Sequence, residues 1–202
     1  MNQIYKLVDQ IYCINLISRP DRYANMKAFE KDSGLKINFF RPERDLSGGV
    51  FGCFKSHIYI ILQAYKLGYN KVLVFEDDII KTKSYDSINY NEIIQFMNTN
   101  NSWEILQLSW FNVFNSLFVP KSSKYTNLSQ GGTFLTSSYI INRKGMERIL
   151  KTYKNYLGIE PVDVYYKKIF NLTMWNIVPM PFDQNRYITN DNIRINNTML
   201  PS

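Results

Sequence analysis

The segment "KVLVFEDDII", residues 71–80, runs from four apolar side chains, Val72-Leu73-Val74-Phe75, straight into three acids, Glu76, Asp77 and Asp78. A continuous apolar run of this length, rich in β-branched and aromatic residues, predicts a strand buried on both faces. Carboxylates at the end of such a strand are costly to bury without a positive partner. The partner expected here is a divalent cation. Side chains at i and i+2 share a face of a strand, so Glu76 and Asp78 are expected to point one way and Asp77 the other. Two hard oxygen ligands at a strand end suit Mg²⁺ or Mn²⁺. The competing reading is an acidic turn whose carboxylates sit in water or cap backbone amides.

Outward from this stretch, strand and helix patterns alternate. "IYCINL" (11–16) reads as a buried strand, and "SRPDR" (18–22) as a helix start, with Ser18 three residues before Asp21 and a proline between. That helix is expected to reach roughly Phe29 and to end before Gly34. "LKINFF" (35–40) reads as a second strand stopped by Pro42. In "VFGCFKSHIYIILQAYKLG" (50–68), Phe54, Ile58, Ile61, Leu62 and Tyr65 form one helical stripe, and Gly68 ends it. A short helix at 91–97, strands at 103–110 and 133–141, helices at 142–153 and 161–170, and a last strand at 173–178 complete the series. Residues 112–132 read as an irregular segment holding a hairpin or a loop. This order predicts an α/β sandwich with a mostly parallel central sheet flanked by helices, as one domain over 1–202. Ligands of such sheets sit beyond the carboxyl ends of the strands, where both "SRPDR" and the acids fall.

The 202 residues carry a net charge of +7, which suits an anionic partner. No run of five basic residues occurs, which argues against nucleic acid and leaves a phosphorylated small molecule, an acidic acceptor or a peripheral membrane contact. No apolar run approaches about 18 residues, and the N-terminus lacks a secretory pattern, so a cytoplasmic location is expected. Cys13 and Cys53 are read as two free thiols in apolar segments.

Three chemistries use an acid cluster of this kind. A nucleotide-sugar transferase holds a cation on the donor diphosphate with a D-x-D-like pair. A haloacid-dehalogenase-type phosphatase needs an aspartate where this chain has Glu76. A glycoside hydrolase needs two carboxylates opposed across a sugar. The first fits best.

The segments "IYCINLISRPDRY", "GGVFGCFKSH", "KVLVFEDDI", "SSYIINRKGMERIL" and "PVDVYY" occur in an order and spacing that resemble glycosyltransferase family 25, which includes bacterial lipooligosaccharide and procollagen galactosyltransferases. The resemblance covers about residues 11–170 and extends weakly into "PFDQNRY". It implies a GT-A fold, a UDP-galactose or UDP-glucose donor, inversion at the anomeric carbon and Mn²⁺ dependence, with a glycan, glycolipid or protein as acceptor; roughly residues 1–110 would then be the nucleotide-binding part, and 111–202 the acceptor side and tail. Under it, Glu76 and Asp78 hold the metal, and Asp77 contacts ribose or holds the loop. Asn15, Arg19 and Arg22 lie where a GT-A fold receives the nucleotide; the plain alternative is that Arg22 pairs with Asp21 or Glu43 on the surface. Ser56 and His57 match the family's "SH" and are nucleotide-pocket candidates. Inversion needs a base for the acceptor hydroxyl, and Asp163 is the first choice, with Glu160 second. Gln184 and Asp191 are expected to close over the donor. Tyr139 and Trp110 line the sugar pocket or simply pack the core. Family members usually carry a glutamate where this chain has Val50, so a contact made by that carboxylate is missing. Two rivals remain at this level: a catalytically inactive sugar-binding homologue and a metal-dependent phosphohydrolase.

Overall fold

The computed structural model describes residues 5–111, 125–156 and 160–185. In chain order the elements are β1 (Gln10–Ile14), α1 (Pro20–Ser33), β2 (Asn38–Phe40), α2 (Gly49–Lys66), β3 (Lys71–Glu76), β4 (Ile79–Lys81), α3 (Tyr90–Thr99), β5 (Ile105–Gln107), β6 (Leu128–Gln130), β7 (Ser138–Asn142), α4 (Arg143–Thr152), α5 (Val162–Phe170), β8 (Met174–Ile177) and β9 (Phe182–Gln184). A seven-stranded sheet runs in the order β2-β1-β3-β7-β5-β8-β6. Strands β7 and β6 are antiparallel to their neighbours, while β2, β1, β3, β5 and β8 all point the same way. The mostly parallel sandwich expected from the element order is therefore present, as a mixed sheet with two reversed strands.

Strand β3 divides the core. Val72 and Val74 face α2, α4 and α5 together with Tyr139 and Ile141 of β7. Leu73 and Phe75 face Met26 of α1 and Ile93 and Phe96 of α3. Both sets are fully buried, so the strand reads as an unbroken apolar run because helices cover both its sides. Among the described residues no helix is long and apolar enough to cross a membrane.

Several boundaries differ from expectation. The Ser18–Asp21 capping pair does not form: Arg19 is the N-cap, and Arg19 itself takes the Asp21 carboxylate at 2.8 and 3.0 Å. Strand β2 covers only the last three residues of 35–40, and β5 only 105–107 of 103–110. Strand β7 begins at Ser138, because the Thr133–Ser137 stretch is drawn into a polar loop. Three strands were not anticipated. Strand β6, inside the segment read as irregular, pairs with β8, and β4 and β9 pair with each other in a separate two-stranded sheet. Each is three residues long and is held by partners distant in sequence, so local periodicity carries no signal of it.

Gly145 lets α4 approach the sheet. A Cβ there would stand 2.8 Å from the Glu104 carbonyl oxygen and 2.8 Å from Ile141 Cγ1. Gly145→Ala is expected to cost about 1–3 kcal/mol through overpacking. A melt compared with wild type checks it, and an unchanged midpoint would mean that α4 can shift freely.

Candidate active site

The carboxyl ends of β1 and β3 face the start of α2 across a cleft. Ile14 and Leu16 at the end of β1, all three acids of 76–78, and Ser56 and Cys53 of α2 line it. So do Arg22, Arg44 and Gln184. Gly52 permits the closure on one side: the loop carrying Asp45 rests on it, with Asp45 Cβ 2.9 Å from where a Cβ would stand.

The acids divide their work differently from the simple alternation. Glu76 follows the strand and points to the α2 side, where its Oε1 accepts from Thr136 Oγ1 at 2.9 Å and lies 3.4 Å from His57 Nε2. Asp77 points to the α1 side. Its Oδ1 accepts from Arg22 at 2.8 Å and its Oδ2 from Asn15 Nδ2 at 2.7 Å. Asp78 does not return to the Glu76 side as a strand residue would. Residues 77 and 78 form the turn into β4, so its Oδ2 accepts from Arg22 at 3.3 Å and from Gln184 Nε2 at 2.9 Å. The positive partner visible in the structure is thus Arg22, buried, paired with two of the acids rather than with Asp21 or Glu43.

One guanidinium cannot neutralise three carboxylates. Burial and the Glu76 charge push the Asp78 carboxyl up to about 7, and burial also raises Asp77. Burial opposes the charge on Glu76 as well, but the His57 imidazole 3.4 Å away, the hydrogen bond from Thr136 and the charge of Arg22 leave its carboxyl below the ordinary range. The buried Asp78 Oδ1 has no hydrogen-bond partner among the described residues. No hydrogen bond reaches Glu76 Oε2 among the described residues, whereas both oxygens of Asp77 are taken. A divalent cation fits this donor set: surplus negative charge, an orphaned carboxylate oxygen and hard oxygen ligands.

A second chamber adjoins the first. Cys53, Glu76 and Gln184 line both, and the second adds Val50, Thr136 and Asp163. Asp163, at the start of α5, accepts from the Leu135 amide at 3.1 Å and the Val164 amide at 2.8 Å. Leu135 holds a positive φ of 79°, a conformation costing a non-glycine residue about 1–3 kcal/mol, and Gln107 Nε2 donates to its carbonyl at 2.8 Å. The loop facing Asp163 is therefore braced in a single strained shape.

Other candidates fall elsewhere. Glu160 pairs with Lys168 at 2.6 Å and lines a separate cavity beside Tyr165. Asn15 is fully buried; besides Asp77, it donates to the Arg19 carbonyl at 3.1 Å and accepts from Arg41 at 3.0 Å. Arg19 lies on Asp21 outside the lining of the cleft. His57 is fully buried behind the cleft wall, and Tyr139 is a core residue bonded to it at 2.9 Å. Trp110 Nε1 donates to the Ile177 carbonyl at 2.8 Å. Gln184 reaches the acids, while Asp191 lies outside the described residues. Sequence reading missed Thr136, whose signal was the hydroxyl run Thr136-Ser137-Ser138 ahead of an apolar strand. It also read Cys53 only as a free thiol in an apolar segment, although Cys53 lines both chambers.

Residues 25–166 match the family model described as glycosyltransferase family 25 (LPS biosynthesis protein). A curated relative from Aedes aegypti, a "Glycosyltransferase 25 family member", is 24% identical over 191 residues; the match covers 81% of this chain but 31% of the relative. The chain thus spans about a third of that relative's length. Among solved structures, A197 from STIV superimposes with a TM-score of 0.50 at 10% identity, covering 83% of this chain and 81% of that one, a likeness of fold alone. A glycosyltransferase involved in glycosylation of the major capsid of PBCV-1 gives a TM-score of 0.48 at 10% identity, covering 89% and 94%.

Proposed function

The chain belongs to glycosyltransferase family 25, and on that premise we propose that it moves a hexose, galactose or glucose, from a UDP-sugar to a hydroxyl of a glycan, glycolipid or hydroxylated protein, with inversion at the anomeric carbon. One observation carries this reading: Glu76 stands between two joined chambers, one holding the open acid oxygens and the other holding Asp163. Arg22 and Arg44 bring guanidinium groups to the first chamber, as an anionic diphosphate requires.

Glu76 and Asp78 are the residues to hold Mn²⁺ or Mg²⁺, since each keeps a carboxylate oxygen that no hydrogen bond from the described residues uses. A bound divalent cation supplies positive charge to offset that on a departing diphosphate. Asp77 holds the turn by tying it to Arg22 and Asn15. Gln184 fixes Asp78 from the β9 side, and Thr136 fixes Glu76 from the β7 side. Asp163 accepts the proton of the acceptor hydroxyl while the hydroxyl oxygen bonds to the anomeric carbon and the diphosphate leaves with the old bonding pair. Ser56 lines the donor chamber beside the acids.

Calorimetric titration of UDP into the purified chain, with Mn²⁺ and again with EDTA, tests the donor site. UDP binding that requires Mn²⁺ is expected, followed by UDP release from UDP-galactose or UDP-glucose when acceptors are supplied. A folded protein that binds no UDP in either condition overturns the UDP-sugar reading. Turnover of a simple phosphate ester would replace it with phosphohydrolase chemistry.

A further inference from the structure

Beneath the cleft lies a second set of ligating atoms, of which the proposed transfer chemistry uses only Glu76. Cys53 and His57 stand at i and i+4 on α2, so they project from the same face of the helix toward the end of β3. The ligand atoms of Cys53, His57 and Glu76 all lie within 4.8 Å of one another. His57 is fully buried, and its Nε2 has no hydrogen-bond partner among the described residues. The 3.4 Å from Nε2 to Glu76 Oε1 is too long for an ordinary charge-assisted hydrogen bond of about 2.7–2.9 Å. It does match the ligand-to-ligand edge of about 3.3 Å produced by two bonds of about 2.0–2.1 Å in a tetrahedral zinc site.

The outer shell is also in place. His57 Nδ1 bonds to Tyr139 Oη at 2.9 Å, and Tyr139 bonds to Tyr166 Oη at 3.2 Å. Such a partner on the far nitrogen aims the near one, as in histidines that ligate metals. We propose that Cys53, His57 and Glu76 form a binding site for a thiophilic divalent cation of the zinc class. Sulfur, imidazole and carboxylate together favour such an ion over Mn²⁺ or Mg²⁺. Three protein ligands leave a fourth position, which opens to the cleft, because Cys53 and Glu76 line both of its chambers. On binding, the Cys53 thiol gives up its proton to solvent and the thiolate sulfur bonds to the ion. Glu76 is common to this set and to the oxygen pair with Asp78.

The test uses the metal-stripped full chain and Co²⁺ alone, without nucleotide, so its outcome is separate from that of the UDP titration. A thiolate-to-cobalt charge-transfer band saturating at a single cobalt per chain is expected, bleached by added Zn²⁺. Cys53→Ala should abolish the band. Tyr139→Phe, which keeps the ring and removes only the oxygen on His57, should weaken zinc binding roughly 10–100-fold. In the wild-type chain, Zn²⁺ should also shield Cys53 from alkylation while leaving the labelling of Cys13 unchanged, a readout that does not depend on any variant folding. A folded wild type with no band, a band that persists in Cys53→Ala, or alkylation of Cys53 indifferent to Zn²⁺ overturns the site.

Discussion

Asp163→Asn is expected to lower kcat by roughly 10²–10⁴-fold, the usual contribution of a positioned general base, while Mn²⁺-dependent UDP binding persists. The separation follows from placement. Asp163 lines the chamber beyond Glu76 and does not line the chamber that carries Arg22, Arg44 and Asp78. The variant keeps one oxygen for the Leu135 and Val164 amides that the carboxylate now satisfies, and turns an NH₂ donor toward the other. That mismatch costs about 1–2 kcal/mol of stability, which a melt registers separately from turnover. Steady-state kinetics decide the matter: a fall in kcat with UDP affinity preserved supports the base, and an unchanged kcat removes it from that role. If instead Glu160→Gln abolished turnover and Asp163→Asn did not, the base would be Glu160, despite its pairing with Lys168.

Asp78→Asn should produce two opposite effects. The folded form holds the Asp78 proton up to about pH 7, against an ordinary value of 3.8, because burial and the charge of Glu76 disfavour ionisation. A carboxyl raised in this way contributes stability that is fully present below pH 3.8 and is lost as pH climbs through 7. At pH 8 the wild-type chain therefore carries the full cost of that charge, up to about 4 kcal/mol at roughly 1.4 kcal/mol per pH unit. Asparagine removes the charge. Its amide meets the Gln184 and Arg22 donors that the carboxylate accepts, at a cost of about 1–2 kcal/mol. A net gain of about 2 kcal/mol remains, or roughly 4–8 °C in Tm for a chain of this size. The gain should grow from pH 4 to pH 7 and level off above it.

Function should move the other way, with transfer falling roughly 10²–10³-fold and Mn²⁺-dependent UDP binding lost. In the wild type, cation affinity should rise as pH passes through 7, because a proton on Asp78 competes for the same oxygen. Melts of both proteins across pH 4–8, without metal, check the stability half. A variant less stable than wild type at pH 8 would mean that Arg22 and its neighbours already balance the three acids.

Much of the cleft at the carboxyl end of β3 is legible in the sequence. The run Val72–Phe75 announces a strand covered on both faces, and the break into acids marks its carboxyl end, because only burial selects four consecutive apolar residues. The stripe Phe54-Ile58-Ile61 on α2 and the acid at the start of α5 are written in helical periodicity of the same local kind. These signals arise from geometry repeating over two to four residues, so neighbouring side chains are enough to reveal them.

The partners of the acids were decided only by tertiary structure. Arg22 meets Asp77 across 55 residues of chain, Gln184 meets Asp78 across 106, and Thr136 meets Glu76 across 60. Each meeting depends on strand order: β1 beside β3, β7 on its other edge, and the short β4–β9 pair that carries Gln184 back to the cleft. Strand order is set by which long-range packing buries the most apolar surface, and no window of a few residues contains that comparison. The element series, the acids at a strand end and the family resemblance were therefore readable from the chain. Which acid is neutralised, which stays open, and which histidine and thiol lie beneath them depended on how distant segments meet.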